Sequence, residues 1–526
     1  MSSGRGIAAG APRVAALATV LAVLFLTFLD TTIISVTLGD VQQDLGAGVI
    51  SLQWVINGYS LVFASLMLVA GSFSDRLGRK PVMLAGIVVF CGGSLLAALA
   101  PNVGTLIAGR AVMGLGAAAS EPGTLSVIRH LYADSRERAK AFGWWAAVSG
   151  LALAAGPVIG GLLVGADSWR GVFWFNLVFG LVILAGAARW VPNSADPQPG
   201  RLDLGGFVFG ALALASIVFA VIEGEQHGFD ASWVIALFTV GALALVAFVA
   251  TERRADNPVL DLRYVKRPIV SSALFAAFAV YFGVFSIFFF TALYLDVVGG
   301  YSGWRLAGMY APMAAAIVVG SLLTGAWVGR AGSRTPLVTG CVIAAGGVLF
   351  TNSFLTEDPS FAPLTAGLAI AGVGFGIAVV PLTSAVMSNV PTAHSSMAAS
   401  ATNTSRQLGA VIGVAALGAL LNSHLTSGLS DRLHGLGITG GAQQVIIDAV
   451  ESGGGSAGGI DLAHPPALLR PIVDAATSAF RAGLHQALLV AAILMLVAAA
   501  FTALTHRAAD ERAVGAVGPG GKEHVG

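Results

Sequence analysis

The stretch "GSFSDRLGRKP" (residues 71–81) lies between two long apolar runs, and its reading decides the fold. It leaves no room for a flexible linker, so the flanking runs must turn back directly against each other. Gly71 and Gly78 permit a close helix approach and a tight turn, because a residue without Cβ tolerates both. Asp75 beside Arg76, Arg79 and Lys80 predicts an ionic cluster at the end of the apolar medium. Bases that only set topology would not need this spacing of glycine, acid and base.

Composition names that medium. Of 526 residues, 56% are hydrophobic and 10% are charged, where a soluble domain carries about 25% charged residues. So little polar surface cannot cover the apolar remainder, and a lipid bilayer must do so. The net charge of +1 excludes the concentrated basic face of a nucleic-acid binder. Cys91 and Cys341 both fall in apolar runs, so neither a disulfide nor a thiolate metal cage is expected. No nucleotide-binding loop, metal-ligand cluster or nucleophile constellation is present, which argues against an enzyme and predicts no metal and no cofactor.

Apolar stretches between charged or Gly/Pro punctuation give fourteen candidate spans, an all-α membrane fold. Their limits are 14–38, 51–71, 82–100, 104–128, 139–164, 171–191, 204–222, 232–251, 269–295, 305–328, 336–355, 362–387, 399–421 and 483–505. The first is too long for a signal-peptide core of about 7–15 residues. Basic residues gather in alternate loops, as they do on the cytoplasmic side of membrane proteins. One loop holds Arg76, Arg79 and Lys80, the next Arg129, Arg136, Arg138 and Lys140, and a third Arg253, Arg254, Arg263, Lys266 and Arg267. The opposite short loops hold only Arg170 and Arg305. An even count with both termini in the cytoplasm follows. The segment 422–482, with its tract "ESGGGSAGG", then lies outside the cell as a solvated, poorly ordered insert.

"GAWVGRAGSRTP" (325–336) repeats the opening stretch. Gly71, Arg76, Gly78 and Lys80 align with Gly325, Arg330, Gly332 and Arg334, while Gly329 replaces Asp75. The offset of eight spans predicts two six-helix halves separated by two extra helices, a duplication typical of secondary transporters. The division is a tail at 1–13, a bundle at 14–191, linker helices at 204–251, a second bundle at 269–505 and a tail at 506–526.

Ionisable side chains inside hydrocarbon cost at least about 2.5–3.5 kcal/mol on insertion scales. Asp30, Arg110 and Glu121 lie well inside spans. Glu223, Asp296, Arg305 and Arg406 lie near span ends, where long side chains reach the interface. Asp30 shares a helix side with Thr27, Thr31 and Ser35, and Arg110 shares one with Glu121, since eleven residues make three turns plus about 20°. Asp30 and Arg110 come within about 3 Å of the same depth, so the two can pair. Two readings of that pair stand: inert packing, or a proton site at Asp30 whose affinity Arg110 modulates. Glu121 is either a second acidic site or a group satisfied locally beside Pro122. In "SGLALAAGPVIGGLLVG" (149–165), Gly156/Gly160 and Gly161/Gly165 permit close helix packing. Pro157 frees a carbonyl one turn earlier and kinks the helix. Together these residues read as a hinge surface.

These motifs resemble the major facilitator superfamily, and within it the fourteen-helix drug:proton antiporters. "GSFSDRLGRKP" is similar to the superfamily's signature loop, and "LIAGRAVMGLGAAA" (106–119) to its fourth-helix motif. "GPVIGG" (156–161) resembles the antiporter motif, "LDTTIISVTLGDVQQDL" the first-helix motif of this branch, and "NTSRQLGAVIGVAALG" (403–418) its thirteenth-helix counterpart. The resemblance implies alternating access between two bundles, proton transfer linked to Arg110, and stabilisation of the outward-facing state by the loop of Asp75. The sequence departs from the pattern at Ser35, Gly39, Met113 and Glu121, and span ten has no acid.

The expected function is proton-coupled efflux of lipophilic cationic or neutral amphiphilic drugs from a mildly negative cavity. Trp54, Asn57, Tyr59, Phe282 and Phe285 are its candidate wall. Expected partners are the small-molecule substrate, protons and lipid, with a monomer sufficient, in the cell membrane. Two other readings remain: a dedicated exporter of one endogenous metabolite or self-made antibiotic, and a non-transporting receptor or scaffold.

Overall fold

Long uninterrupted apolar sequence leaves the backbone to satisfy its own hydrogen bonds, and in lipid a helix does this within one segment. The computed structural model accordingly has helices as its only regular elements among the described residues. These are 11–47, 49–166, 168–193, 203–255, 258–297, 303–356, 360–391, 394–435 and 470–516, with single positions between 438 and 446.

The long helices are α1 (Ala11–Ile33), α2 (Val49–Leu77), α3 (Arg79–Ala98), α4 (Val103–Leu131), α5 (Ser135–Ala166), α6 (Arg170–Trp190) and α7 (Leu204–His227). They continue with α8 (Ser232–Glu252), α9 (Pro268–Val297), α10 (Gly303–Ala331), α11 (Arg334–Ser353), α12 (Phe361–Asn389), α13 (Ser395–Gly435) and α14 (Arg470–Ala516). Among the described residues, 13 are long and apolar enough to cross a bilayer, and α5 makes a fourteenth when its two bent pieces count as one span. The predicted spans and these helices correspond one to one. α1 ends at Ile33 rather than at 38, because the chain tightens into a 3-10 turn at Ile34–Thr37 before a short helix, Leu38–Leu45.

Turn chemistry sets several boundaries. Gly78 holds φ at +100° between α2 and α3, a conformation other residues rarely adopt. Asn102 caps α4 by accepting the Thr105 N–H at 2.9 Å, satisfying one of the helix's orphan donors. α5 bends by 40° between Leu153 and Val158, next to Pro157. The carbonyl that a residue at 157 would normally bond is that of Leu153, and Thr32 of α1 donates to it instead at 3.0 Å.

The helices pack as two matching sets. α4 lies against α2 and α3, and α12 against α10 and α11. α1 packs on α5 and α6, as α9 packs on α13 and α14. α7 and α8 pair with each other, and α7 leans on α2 and α13. The fold is two six-helix bundles with two additional helices. The sets cross through α2 with α13 and α5 with α10. α8 leaves Leu243 and Val246 about two-thirds exposed, as a helix facing lipid would.

The two ends of the segment 422–482 are helical where a poorly ordered insert was expected. α13 continues to Gly435 and α14 begins at Arg470. Leu429 and Leu433 of α13 bury against Ala475 of α14, which gives the extensions an apolar seam. "ESGGGSAGG" lies outside the described residues, as do residues 1–10 and 517–526.

Candidate functional site

The pair forms. Asp30 on α1 and Arg110 on α4 are both fully buried, and Arg110 Nη1 is bonded to Asp30 Oδ2. Arg110 also donates from Nε to the Val55 carbonyl of α2 at 2.9 Å. Its guanidinium lies 4.6 Å from the centre of the Tyr59 ring, whose hydroxyl donates to the Thr27 carbonyl at 3.1 Å. The other carboxylate oxygen of Asp30 accepts from Asn176 Nδ2 of α6 at 2.7 Å. The carboxylate of α1 is thus held directly from α4 and α6, and α2 joins the cluster through Arg110. Asn176 escaped the sequence reading because a neutral amide in "WFNLVFG" (174–180) carries no charge signal.

A second layer lies deeper along α4. Glu121 is 1% exposed, and one turn on, Thr124 donates to its main-chain carbonyl at 2.7 Å. Trp145 of α5 in turn donates from Nε1 to Thr124 Oγ1 at 3.0 Å. Opposite stands Arg406 of α13, also 1% exposed. The expectation that Arg406 reaches the interface is overturned: α13 starts at Ser395, so Arg406 is three turns inside the helix. Its guanidinium bonds Asn403 Oδ1 at 2.8 Å and Thr383 Oγ1, and lies 4.7 Å from the Trp145 ring and 5.6 Å from that of Tyr281. The expected mildly negative cavity is corrected with it, since Asp30 and Glu121 are balanced by Arg110 and Arg406. Glu223 is likewise buried, its carboxylate 3.1 Å from His227 Nδ1. Arg305 is exposed, and the Asp296, Ser35 and Gly39 side chains lie outside the described residues.

At the end of α2 the ionic cluster resolves into a latch. Asp75 is paired with Arg79 at 2.9 Å and accepts the main-chain N–H groups of Ser396 at 3.1 Å and Met397 at 2.9 Å. These are orphan donors of the first turn of α13, where a carboxylate is favoured. Arg79 is buried, whereas Arg76 is half-buried and Lys80 donates to the Ala188 carbonyl at 2.6 Å. A Cβ at Gly71 would lie 2.7 Å from the Ser396 carbonyl, and one at Gly325 would lie 2.8 Å from that of Ala139. The repeated motif therefore brings α2 onto α13 and α10 onto α5 in the same way. Ser126 and Ser395 hydroxyls meet at 2.5 Å nearby, so the two sets are closed at this end.

The remaining assignments divide. Gly156 seats α5 on α1, since a Cβ there would come 2.9 Å from the Ile33 nitrogen, and Gly160 is buried. Gly161 faces open space, so it makes no helix contact here, and the Pro157 side chain lies outside the described residues. Trp54 leaves the expected wall: its ring packs 5.5 Å from that of Phe219 on α7. Asn57 is half-buried on α2. Tyr281 stacks on Phe285 at 5.7 Å, which keeps Phe285 beside the Arg406 layer, and Phe282 is buried against α13 near Gly413.

The family model described as Major Facilitator Superfamily matches residues 20–414. The multidrug resistance protein Stp of Mycobacterium tuberculosis is 33% identical over 78% of this chain and 76% of its own length. The methylenomycin A resistance protein of Bacillus subtilis is 34% identical over 77% and 88%. The multidrug efflux pump LfrA of Mycolicibacterium smegmatis is 31% identical over 94% and 96%. Among solved structures, the human organic anion transporter MFSD10 (TETRAN) matches with a TM-score of 0.63 at 13% identity, covering 94% of this chain and 100% of that one, a likeness of fold.

Proposed function

The chain belongs to the major facilitator superfamily, a family of membrane transporters rather than enzymes, and on that premise we propose that it is a proton-coupled efflux pump for drugs or antibiotics. The observation that carries this reading is Asp30, a fully buried carboxylate held by Arg110 and Asn176 inside a membrane helix. A buried ion pair adds little to stability, because desolvation offsets the attraction. A proton arriving at Asp30 removes the charge that Arg110 answers. The guanidinium, still bonded to Val55 on α2, then pulls on α1, α2 and α4 unequally. That is a means of coupling a proton to helix movement.

In this reading residues 14–191 and 269–505 rock against each other and 204–251 ride on the outside. The latch of Asp75 faces the cytoplasm with both termini, in the cell membrane, and one chain suffices. On this reading, a latch closed at the cytoplasmic end makes the state outward-facing. Asp30 takes a proton from outside as substrate leaves, then loses it inside as the next substrate binds between the halves. The relatives named for multidrug resistance and efflux support a broad substrate range. The methylenomycin A resistance protein favours a second reading, dedicated export of one antibiotic.

Uptake of ethidium and a panel of neutral antibiotics by inverted vesicles tests the proposal. Accumulation that collapses with the proton gradient, and is lost in well-expressed Asp30→Asn, supports it. Gradient-independent uptake, or full activity in Asp30→Asn, contradicts it.

A further inference from the structure

The layer around Glu121 and Arg406 holds polar atoms that the protein does not satisfy. Glu121 Oε2, Arg406 Nε, Asn403 Nδ2 and Tyr281 Oη are all buried without a hydrogen-bond partner. Such groups are few in native structures, and each calls for an explanation. They come from α4, α13 and α9, so they span the boundary between the six-helix sets. Their chemistry is complementary. Arg406 uses Nη1 and Nη2 on Asn403 and Thr383, leaving Nε as a free donor. Asn403 spends its oxygen on Arg406, leaving its NH2 as a second donor on the same helix. Across the layer Glu121 presents a free acceptor, and no hydrogen bond or ion pair joins it to Arg406 among the described residues. Aromatic rings of Trp145 and Tyr281 flank the guanidinium, with Phe285 stacked behind Tyr281.

We infer that this layer is a substrate site for amphoteric aromatic molecules, with a cationic group set against Glu121 and an acidic oxygen against Arg406 Nε and Asn403 Nδ2. The inference rests on the export reading above and narrows its substrate class. A monocation would meet Glu121 but leave the Arg406 donor unanswered and bring a like charge toward it. A molecule bearing both signs answers both groups and adds no net charge to the membrane interior, where uncompensated charge is expensive. The flanking rings supply apolar area and stacking for a flat ligand.

Rhodamine B and its ethyl ester make a matched pair of probes, one zwitterionic and one a permanent cation on the same ring system. Binding to the purified full-length protein in nanodiscs is read by fluorescence anisotropy. The site predicts that wild type binds rhodamine B about tenfold more tightly than the ester, the worth of one charge-assisted hydrogen bond. Arg406→Gln brings the ratio to about one, while Glu121→Gln weakens both dyes and keeps the preference. The wild-type ratio needs no variant, so misfolding cannot hide the answer. Equal or tighter binding of the ester, binding of neither dye, or a ratio unmoved in folded Arg406→Gln overturns the assignment. Proton-driven drug uptake in vesicles separates the two readings. Energised transport without the dye preference sinks the amphoteric site and leaves export standing; dye preference without energised transport does the reverse.

Discussion

Met397 donates its main-chain N–H to the carboxylate of Asp75 at 2.9 Å, joining the first turn of α13 to the last turn of α2. One side chain thereby ties the two six-helix sets together at this end, beside the Ser126–Ser395 contact. Replacing it by alanine removes the Ser396 and Met397 acceptor and the ion pair with Arg79. Hydrogen bonds to a charged group contribute about 1.5–3 kcal/mol, so Asp75→Ala shifts the balance away from closure by about tenfold or more. Cysteines placed by Ser126→Cys and Ser395→Cys, whose native hydroxyls are 2.5 Å apart, report it. Their crosslinking rate falls in Asp75→Ala; an unchanged rate denies the latch.

Gly71 and Gly325 make equivalent predictions. A methyl group at either would press on a main-chain carbonyl of the opposite set, Ser396 or Ala139. Gly71→Ala and Gly325→Ala therefore both reduce the same crosslink. Gly161→Ala is the contrasting case, because a Cβ there meets open space and alanine favours a helix by up to about 1 kcal/mol. Its melting temperature is unchanged or raised. A destabilised Gly161→Ala would mean that this face packs against something.

Asn176 is the least obvious member of the Asp30 cluster. Asn176→Ala leaves the ion pair but removes the donor to Asp30 Oδ1. Energised transport falls by roughly tenfold at normal expression, taking about 1.5 kcal/mol for the lost bond. Transport at the wild-type rate would show that Arg110 alone positions the carboxylate.

At the opposite end, Asp44 bonds Arg170 and accepts from Trp169 Nε1 at 2.9 Å. The Arg170 and Trp169 hydrogen bonds hold its carboxyl below the ordinary value of 3.8. A depressed acid stabilises the fold above its ordinary value, and the contribution is lost as pH falls through the lowered value. The pair therefore survives mild acidification and breaks only as the pH falls below the ordinary carboxylate value of 3.8. Any melting difference between wild type and Asp44→Asn is present at neutral pH and closes only as the pH falls below that ordinary value. A difference that vanishes by about pH 6 would assign the titration to another group.

The charges that stand alone in apolar sequence were the legible part of the site. Asp30, Arg110 and Glu121 are conspicuous because hydrocarbon penalises them, and helix rise alone placed the first two at one depth. Arg406 was misread because it sits among small polar residues in "SATNTSRQLG" (400–409), which hid the true start of α13 at Ser395. Asn176 and the escape of Trp54 to Phe219 depend on which helices become neighbours, information that periodicity does not carry. The duplicated loop revealed the two-set architecture, but not that Asp75 caps a helix of the other set. Residues 422–435 looked like loop because Ser, His and Asp interrupt them, whereas Leu425, Leu429 and Leu433 repeat every four residues and extend α13 along α14.

The exchange of a proton for substrate at Asp30 is the core of the proposed cycle. Its most direct test is the proton count when the purified protein, in weakly buffered detergent solution, binds ethidium or whichever panel drug accumulates best in vesicles. Wild type is expected to release a proton on binding, and Asp30→Asn that still binds the drug to release none. Equal release by wild type and Asp30→Asn would place the exchangeable proton elsewhere and contradict the proposed cycle.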